Sequence, residues 1–414
     1  MTSGGQLKLA TKVVVVGGGP AGMIAAGTAG SRGLDVILIE KNERLGRKLL
    51  ITGKGRCNLT NITDVEGLIA HVPVNGKFLF SAFCNFSNLD LLTLLHGLGL
   101  KTKVERGGRV FPVSDFSSDV VKALARYMAQ NNVRVVKGEV AKVVVDCGSI
   151  AGVKLKNNDF FPADKVIIAT GGRSYPQTGS TGDGYRFAAD LGHKVTPLKP
   201  ALVPLEVRED WVRELKGLSL KNVAINVFTD KGKKIYTDFG EMLFTHFGVS
   251  GPIILSASTH LQQGTCYRLE IDLKPALTPE QLDARIQRDF LKYAKKIFQN
   301  SLADLLPRVL IPIVVKLVAI PSNKPVNQIT KEERERLVSL LKNLKVEIAN
   351  LRPLSEAIVT SGGVAVKQLN PSTMESKLVT GLFFAGEVID VSAYTGGFNL
   401  QIAFSTGYLA GKSC

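Results

Sequence analysis

Residues 13–22 read VVVVGGGPAG, and Glu40 closes the DVILIE run that follows. Four valines without polar alternation suit a strand buried on both faces, as in a parallel sheet. The glycines that follow give the junction its expected form. Gly17 supplies a tight turn, Gly19 lets the backbone approach a pyrophosphate, and Gly22 lets the next helix pack close to the strand. That helix is expected from about Pro20 to Arg32, rich in small residues (Ala21, Ala25, Ala26, Ala29), with its first amides directed at phosphate. A second strand, Asp35 to Ile39, brings Glu40 to where a ribose would lie. A carboxylate there accepts from the 2′ and 3′ hydroxyls and repels a 2′-phosphate. The stretch therefore predicts a site for an unphosphorylated ADP moiety, that of FAD or NAD. The competing reading is a plain glycine turn with a chance glutamate.

Two further segments favour FAD. Directly after Glu40 comes KNERLGRKLLITGKGRCNLTN, with Lys41, Arg47 and Lys48 followed by a glycine-punctuated loop through Gly53 and Gly55 to Asn58. Basic and small residues here suit a cofactor that extends past its pyrophosphate. Between 133 and 172 the pattern reads as a third parallel strand, an antiparallel meander containing Val140, and a return strand, Val166 to Ala169, ending in Thr170, Gly171 and Gly172. Far along the chain, LVTGLFFAGEVIDVSAYTGGFNLQIAFSTGYLAG predicts a strand (Leu382 to Ala385), then Gly386 and Glu387, a glycine-rich loop through Gly397, and a helix beginning near Asn399, with Leu400 and Gln401 in its first turn. A helix start carries roughly half a positive charge, which would favour negative charge at N1 and the C2 oxygen of reduced flavin.

Length and composition bound the rest. A chain of 414 residues predicts at least two domains. With 45% apolar and 21% charged residues it is globular, not disordered. Its first residues, MTSGGQLKLATK, hold no apolar run long enough for a signal peptide, no other stretch reaches a membrane span, and a cytoplasmic location is the expectation. Cys57, Cys84, Cys147, Cys266 and Cys414 are scattered, without a CxxC pair, which argues against a disulfide framework, a zinc cluster or a redox dithiol. The five histidines show no metal-ligand spacing, so no metal is expected. The net charge of +16 would attract polyphosphates. Its Lys and Arg are dispersed and not interleaved with aromatics, so a basic enzyme holding an anionic cofactor is preferred and no nucleic-acid partner is expected.

Taken together, VVVVGGGPAGMIAA, LGRKLLITGKGRCNLTN, GRVFPVSDFSSDVVKAL, IIATGGRSYPQTGSTGDGY, FGEMLFTHFGVSGPIIL and FAGEVIDVSAYTGGFNLQIAFSTG resemble the BaiN-type family of FAD-dependent oxidoreductases, whose members include aminoacetone oxidase-like proteins and bile-acid enone reductases. GRCN and FTHFGVSGP are the most specific of these. The resemblance implies an α/β fold: a Rossmann-like FAD-binding domain of the glutathione-reductase type, with an inserted β-rich domain that carries a helical excursion. The expected boundaries are 1–197 and 356–414 for the FAD domain and 198–355 for the insert, β-rich over 198–277 and 349–355 and helical over 278–348. Stretches such as VAINVFTD and YRLEIDL, then PEQLDARIQRDFLKYAKKIF and KEERERLVSLLKNL, carry the same pattern independently.

The expected activity is hydride transfer between flavin and a small organic substrate. One form is an enone reductase supplied by NADH or NADPH; the alternatives are an amine oxidase of the aminoacetone oxidase type and a basic RNA-binding flavoprotein. The chain has a single GxGxxG, so a nicotinamide donor would have to dock transiently over the flavin. Candidate catalytic residues are His246, in a glycine-bounded loop, as acid/base or as a hydrogen-bonded hinge, and Tyr394, as proton donor or aromatic wall. Tyr175 is a weaker candidate. Cys57 is either a thiol near the flavin or a core residue.

Overall fold

The computed structural model describes residues 10–414, so the first nine residues of the segment read for a leader lie outside the described residues. The chain divides into two compact units, one built from residues up to 201 together with Leu354–Cys414, the other from Leu202–Pro353.

The core of the first unit is a five-stranded, all-parallel sheet in the order Leu382–Phe384, Lys165–Ile168, β1 (Lys12–Val16), β2 (Asp35–Glu40) and Arg134–Lys137. Its centre is β1, whose valines 13 to 16 are no more than 5% exposed, as a strand covered on both faces requires. Helix α1 (Pro20–Ser31) follows directly. The C-terminal helix, Phe398–Ser413, packs along α1 because both present small residues. A Cβ at Gly407 would run into the carbonyl oxygen of Ala21, and one at Gly411 into that of Ala25. The four-residue spacing of these glycines puts both on one helix face, where their missing side chains allow backbone-to-backbone approach. An antiparallel meander, Val140–Asp146, Ser149–Leu155 and Phe160–Pro162, is inserted before the strand that returns to the sheet. This is the Rossmann-like FAD-binding arrangement that the sequence predicts.

The second unit contains a closed, six-stranded antiparallel barrel in the order Leu205–Val207, Gly248–Ser250, Lys234–Phe244, Ser219–Thr229, Tyr267–Asp272 and Leu344–Leu351. Tyr267–Asp272 alternates buried and half-buried positions, one face filling the barrel. A helical excursion leaves after Asp272. It holds Pro279–Lys292 and Lys331–Lys342, each opened by a capping box, Thr278 with Gln281 and Thr330 with Glu333. Two expectations are corrected here. The helical stretch ends at Lys342, not 348: LKVEIANL alternates and its apolar positions close the barrel. The helix expected through KYAKKIF stops at Lys292, where Lys292 and the Tyr293 hydroxyl both engage Asp304 and the chain turns. Among the described residues no single helix is long and apolar enough to cross a membrane.

Candidate cofactor site

The glycine turn shows a division of labour. Gly17 has φ +107, and a Cβ there would lie 2.6 Å from Ala169 O. A Cβ at Gly22 would run into Gly17 O, so this glycine is needed for the helix to sit on the strand. Gly19 differs: its φ is −79°, open to any residue, and a Cβ there would meet nothing within 4 Å. The space beside it is empty of protein. Gly19 is also the N-cap of α1, makes no side-chain cap bond, and precedes Pro20 at the first turn. The amides of Ala21 and Gly22 therefore lack intrahelical acceptors and border that open face. This donor set fits a pyrophosphate.

Glu40 ends β2 beside this turn. Its Oε2 accepts from Gly18 N–H at 2.7 Å, and its Oε1 accepts from the Asn42 backbone N–H at 2.8 Å and the Asn42 carboxamide at 2.6 Å. A carboxylate offers about four acceptor positions, so capacity remains for a diol. Gly18 and Asn42 were not among the sequence candidates. Gly18 stands inside the GGG run, and a Cβ there would lie 2.4 Å from Leu45 Cδ2 and 3.1 Å from Glu40 Oε2, whereas nothing in the sequence singles out Asn42. Arg47, exposed, donates to Asn42 Oδ1 at 2.9 Å.

The distant segments meet at Glu387. Its Oε2 pairs with Lys48 Nζ at 2.6 Å, and its Oε1 accepts from Thr360 N–H at 2.8 Å and the Ser174 hydroxyl at 3.2 Å. Lys48 also donates to Ser174 at 2.7 Å. A Cβ at Gly172 would lie 2.5 Å from both Glu387 Oε1 and Thr360 Oγ1, so a side chain there would push this carboxylate from its place. Gly386, at φ +77, lies against Ala21 and donates to Thr406 of the C-terminal helix at 2.9 Å. Opposite ends of the chain thus build one locus. Ser174 and Thr360 are further residues that sequence reading missed.

The C-terminal helix start is braced by side chains expected to face the cofactor. Asn58, with its carboxamide oxygen toward Gly397 N–H, accepts at 3.1 Å and donates to Thr60 O and Val110 O. Asn399 clamps the 393–397 loop, accepting from Ala393 N–H and donating to Ala393 O, both at 2.9 Å. Gln401 is fully buried and bonds Thr60, Phe86 O and Ser405. These three side chains are committed to protein. What the turn leaves for a ligand are the amides of Phe398, Asn399 and Leu400, which no helix carbonyl can reach. Gly397 caps it at φ +102.

Other candidates have different surroundings. Lys41 is held by Asp183 and Thr181, each at 2.6 Å. Val140 is buried at the start of the meander. The Thr170 hydroxyl is buried, with no hydrogen-bond partner among the described residues, and is turned toward Gly184; Gly171 has φ +74. Gly53 has φ +57 and abuts Asn58, whereas a Cβ at Gly55 would meet open space. His246 is exposed at the turn between two barrel strands, its ring edge-on to Phe247. Tyr394 is half-buried next to the C-terminal helix start, where His71 stacks on Phe398 and the Tyr394 N–H donates to His71 O. Tyr175 has a left-handed backbone, φ +51, and burial raises its phenol pKa. Asp390, just before this loop, has its carboxyl pKa raised by burial.

Cys57 is fully buried, and burial pushes its thiol up to about 12. The thiolate is the reactive form. Thiol titration of the folded protein should therefore label the exposed Cys84, Cys147 and Cys266 and spare Cys57 and Cys414 until denaturant is added. Rapid native labelling of Cys57 would contradict its placement in the core.

The chain matches the family profile described as HI0933-like protein Rossmann domain over residues 11–413. It belongs to that family. Among curated relatives, the 3-dehydro-bile acid delta(4,6)-reductase of Clostridium scindens is 31% identical over 409 residues, covering 97% of this chain and 98% of the relative. The ribosomal RNA dihydrouridine synthase of Escherichia coli is 32% identical over 401 residues, covering 95% and 96%. The solved 3-ketosteroid-delta4-(5alpha)-dehydrogenase of Rhodococcus jostii shares the fold at TM-score 0.54 and 15% identity, covering 100% of this chain and 98% of that one. The chain is an FAD-dependent oxidoreductase of this family.

Proposed function

We propose that the protein reduces a carbon–carbon double bond conjugated to a carbonyl, with NADH or NADPH as the source of electrons. The names of the full-length relatives support this reading, because their reactions share one chemistry. A 4,6-diene conjugated to a 3-oxo group and the 5,6 double bond of uracil, conjugated to its 4-carbonyl, both accept hydride at a carbon activated by that carbonyl. Bound FAD would supply the two-electron carrier.

In this reading the residues of the chain bind and orient. The Gly19 face and the first amides of α1 hold the pyrophosphate, and Glu40 holds the ribose. Lys48 and Glu387 set the middle of the cofactor path, and the amides of Phe398, Asn399 and Leu400 stabilise negative charge on the ring. Tyr394 is the proposed proton donor, since the Asn399 clamp holds its loop at the helix start.

Anaerobic mixing with NADH or NADPH tests the electron source: one of them should bleach the flavin, and failure of both would favour the amine oxidase. Adding a 3-oxo-4-ene steroid or a uridine-containing rRNA transcript should restore the colour. Tyr394→Phe should bleach at the wild-type rate yet reoxidise on substrate at least 10-fold more slowly, since general acid catalysis contributes about 10²–10⁴. Equal reoxidation rates would remove Tyr394 from the chemistry. A second reading concerns the substrate: uracil within RNA. It is favoured by the +16 charge and by the rRNA-directed relatives in Escherichia coli and Haemophilus influenzae.

A further inference from the structure

The helical excursion carries ten of its charges as ion pairs within itself. Arg285 pairs with Asp289, Lys292 with Asp304, Lys324 with Glu333, Arg334 with Asp283 and Lys331 with Glu335. Four of its remaining cations, Lys295, Lys296, Arg308 and Lys316, lie along one stretch of it. Where the chain turns after Lys292 it opens a groove of about 680 Å³ whose lining includes Lys295, Lys296, Gln299, Asn300 and Arg308. A second groove of about 410 Å³ shares Gln299 and Pro312 with the first and adds Lys316. No carboxylate lines either one. Lys295, Arg308 and Lys316 are exposed and form no ion pair among the described residues, and Lys296 lies over the Tyr293 ring at 4.2 Å.

We infer that this double groove binds the phosphate backbone of RNA. Unpaired cations concentrated in a concavity, with two carboxamides between them, match a chain of phosphates flanked by sugar and base hydrogen-bonding groups. The inference rests on the RNA reading of the substrate, and it assigns the contact to the excursion, not to the flavin-binding unit.

The test measures binding of a fluorescein-labelled 20-nucleotide oligouridylate and of an rRNA transcript across a salt series. The holoenzyme is compared with K295E/R308E/K316E and with K231E/K233E/K234E, which makes the same charge change on exposed lysines of a barrel hairpin. Retained flavin absorbance and melting temperature establish that each variant is folded, and R308Q/K316Q serves as a milder second variant. Groove reversal should weaken binding at least 10-fold and lower the slope of log affinity against log salt by about 2, since each single-strand phosphate contact contributes about 0.7. The hairpin variant should stay within about 3-fold. Equal weakening by both variants would overturn the groove and leave the RNA reading standing. If the wild type binds neither RNA, or binds only vesicles containing phosphatidylserine, both the groove and the RNA reading fall, while reduction of a steroid enone would be untouched.

Discussion

A Gly19→Val protein is expected to purify colourless, bind FAD at least 100-fold more weakly than the wild type, and yet be nearly as stable as the wild-type apoprotein. The backbone at Gly19 is in an ordinary extended conformation, and a Cβ there touches no protein atom. The only cost to the fold is a poorer residue at the helix N-cap, about 1 kcal/mol or less. The side chain would instead occupy the space through which a pyrophosphate reaches the α1 amides. Gly22→Ala supplies the contrast. Its Cβ collides with the Gly17 carbonyl, a backbone atom that cannot step aside, so stability and flavin should be lost together, with about 1–3 kcal/mol of strain. Denaturant titration of both apoproteins alongside FAD titration separates these outcomes. A yellow Gly19→Val protein with wild-type affinity would mean that the cofactor is held elsewhere.

The second large effect lies away from any expected ligand contact. Gly407→Val should destabilise the protein by about 3 kcal/mol or more and release the flavin, because the new side chain collides with Ala21 O and drives the C-terminal helix off α1. Gly386 lies against Ala21 and is bonded to Thr406, so displacing the helix also displaces Glu387 from Lys48. Gly97→Ala is the control. Gly97 is an exposed helical glycine with nothing within 4 Å of its would-be Cβ, and alanine there should be neutral or stabilise by up to about 1 kcal/mol. Loss of flavin in Gly407→Val without loss of stability would show that the helix contact is not what joins the two ends.

Much of the flavin-binding fold was legible because its signals are local. Strand, turn and helix at 12–31 follow from a valine run and from glycines whose spacing meets specific backbone requirements, and the observed bounds lie within a residue or so of those read from the pattern. The C-terminal helix was legible for the same reason, starting at Phe398 where Asn399 was expected. The barrel strand Leu344–Leu351 was misassigned in part because its alternation directly follows a charged helix, and the end of a helix is weakly encoded.

The roles of polar side chains were the least legible. Asn58, Asn399 and Gln401 lie where a cofactor contact was expected, yet each serves a backbone group of a neighbouring segment, and Lys41 is taken by Asp183. By itself the sequence determined a dinucleotide turn, an acidic group at the end of the second strand and a late helix start, since glycine conformation and apolar periodicity act over a few residues. Only the tertiary structure decided which donors remain free, how Lys48 finds Glu387 across more than three hundred residues, and where unpaired cations gather. A hydrogen-bonding group has no fixed partner until folding places one within reach.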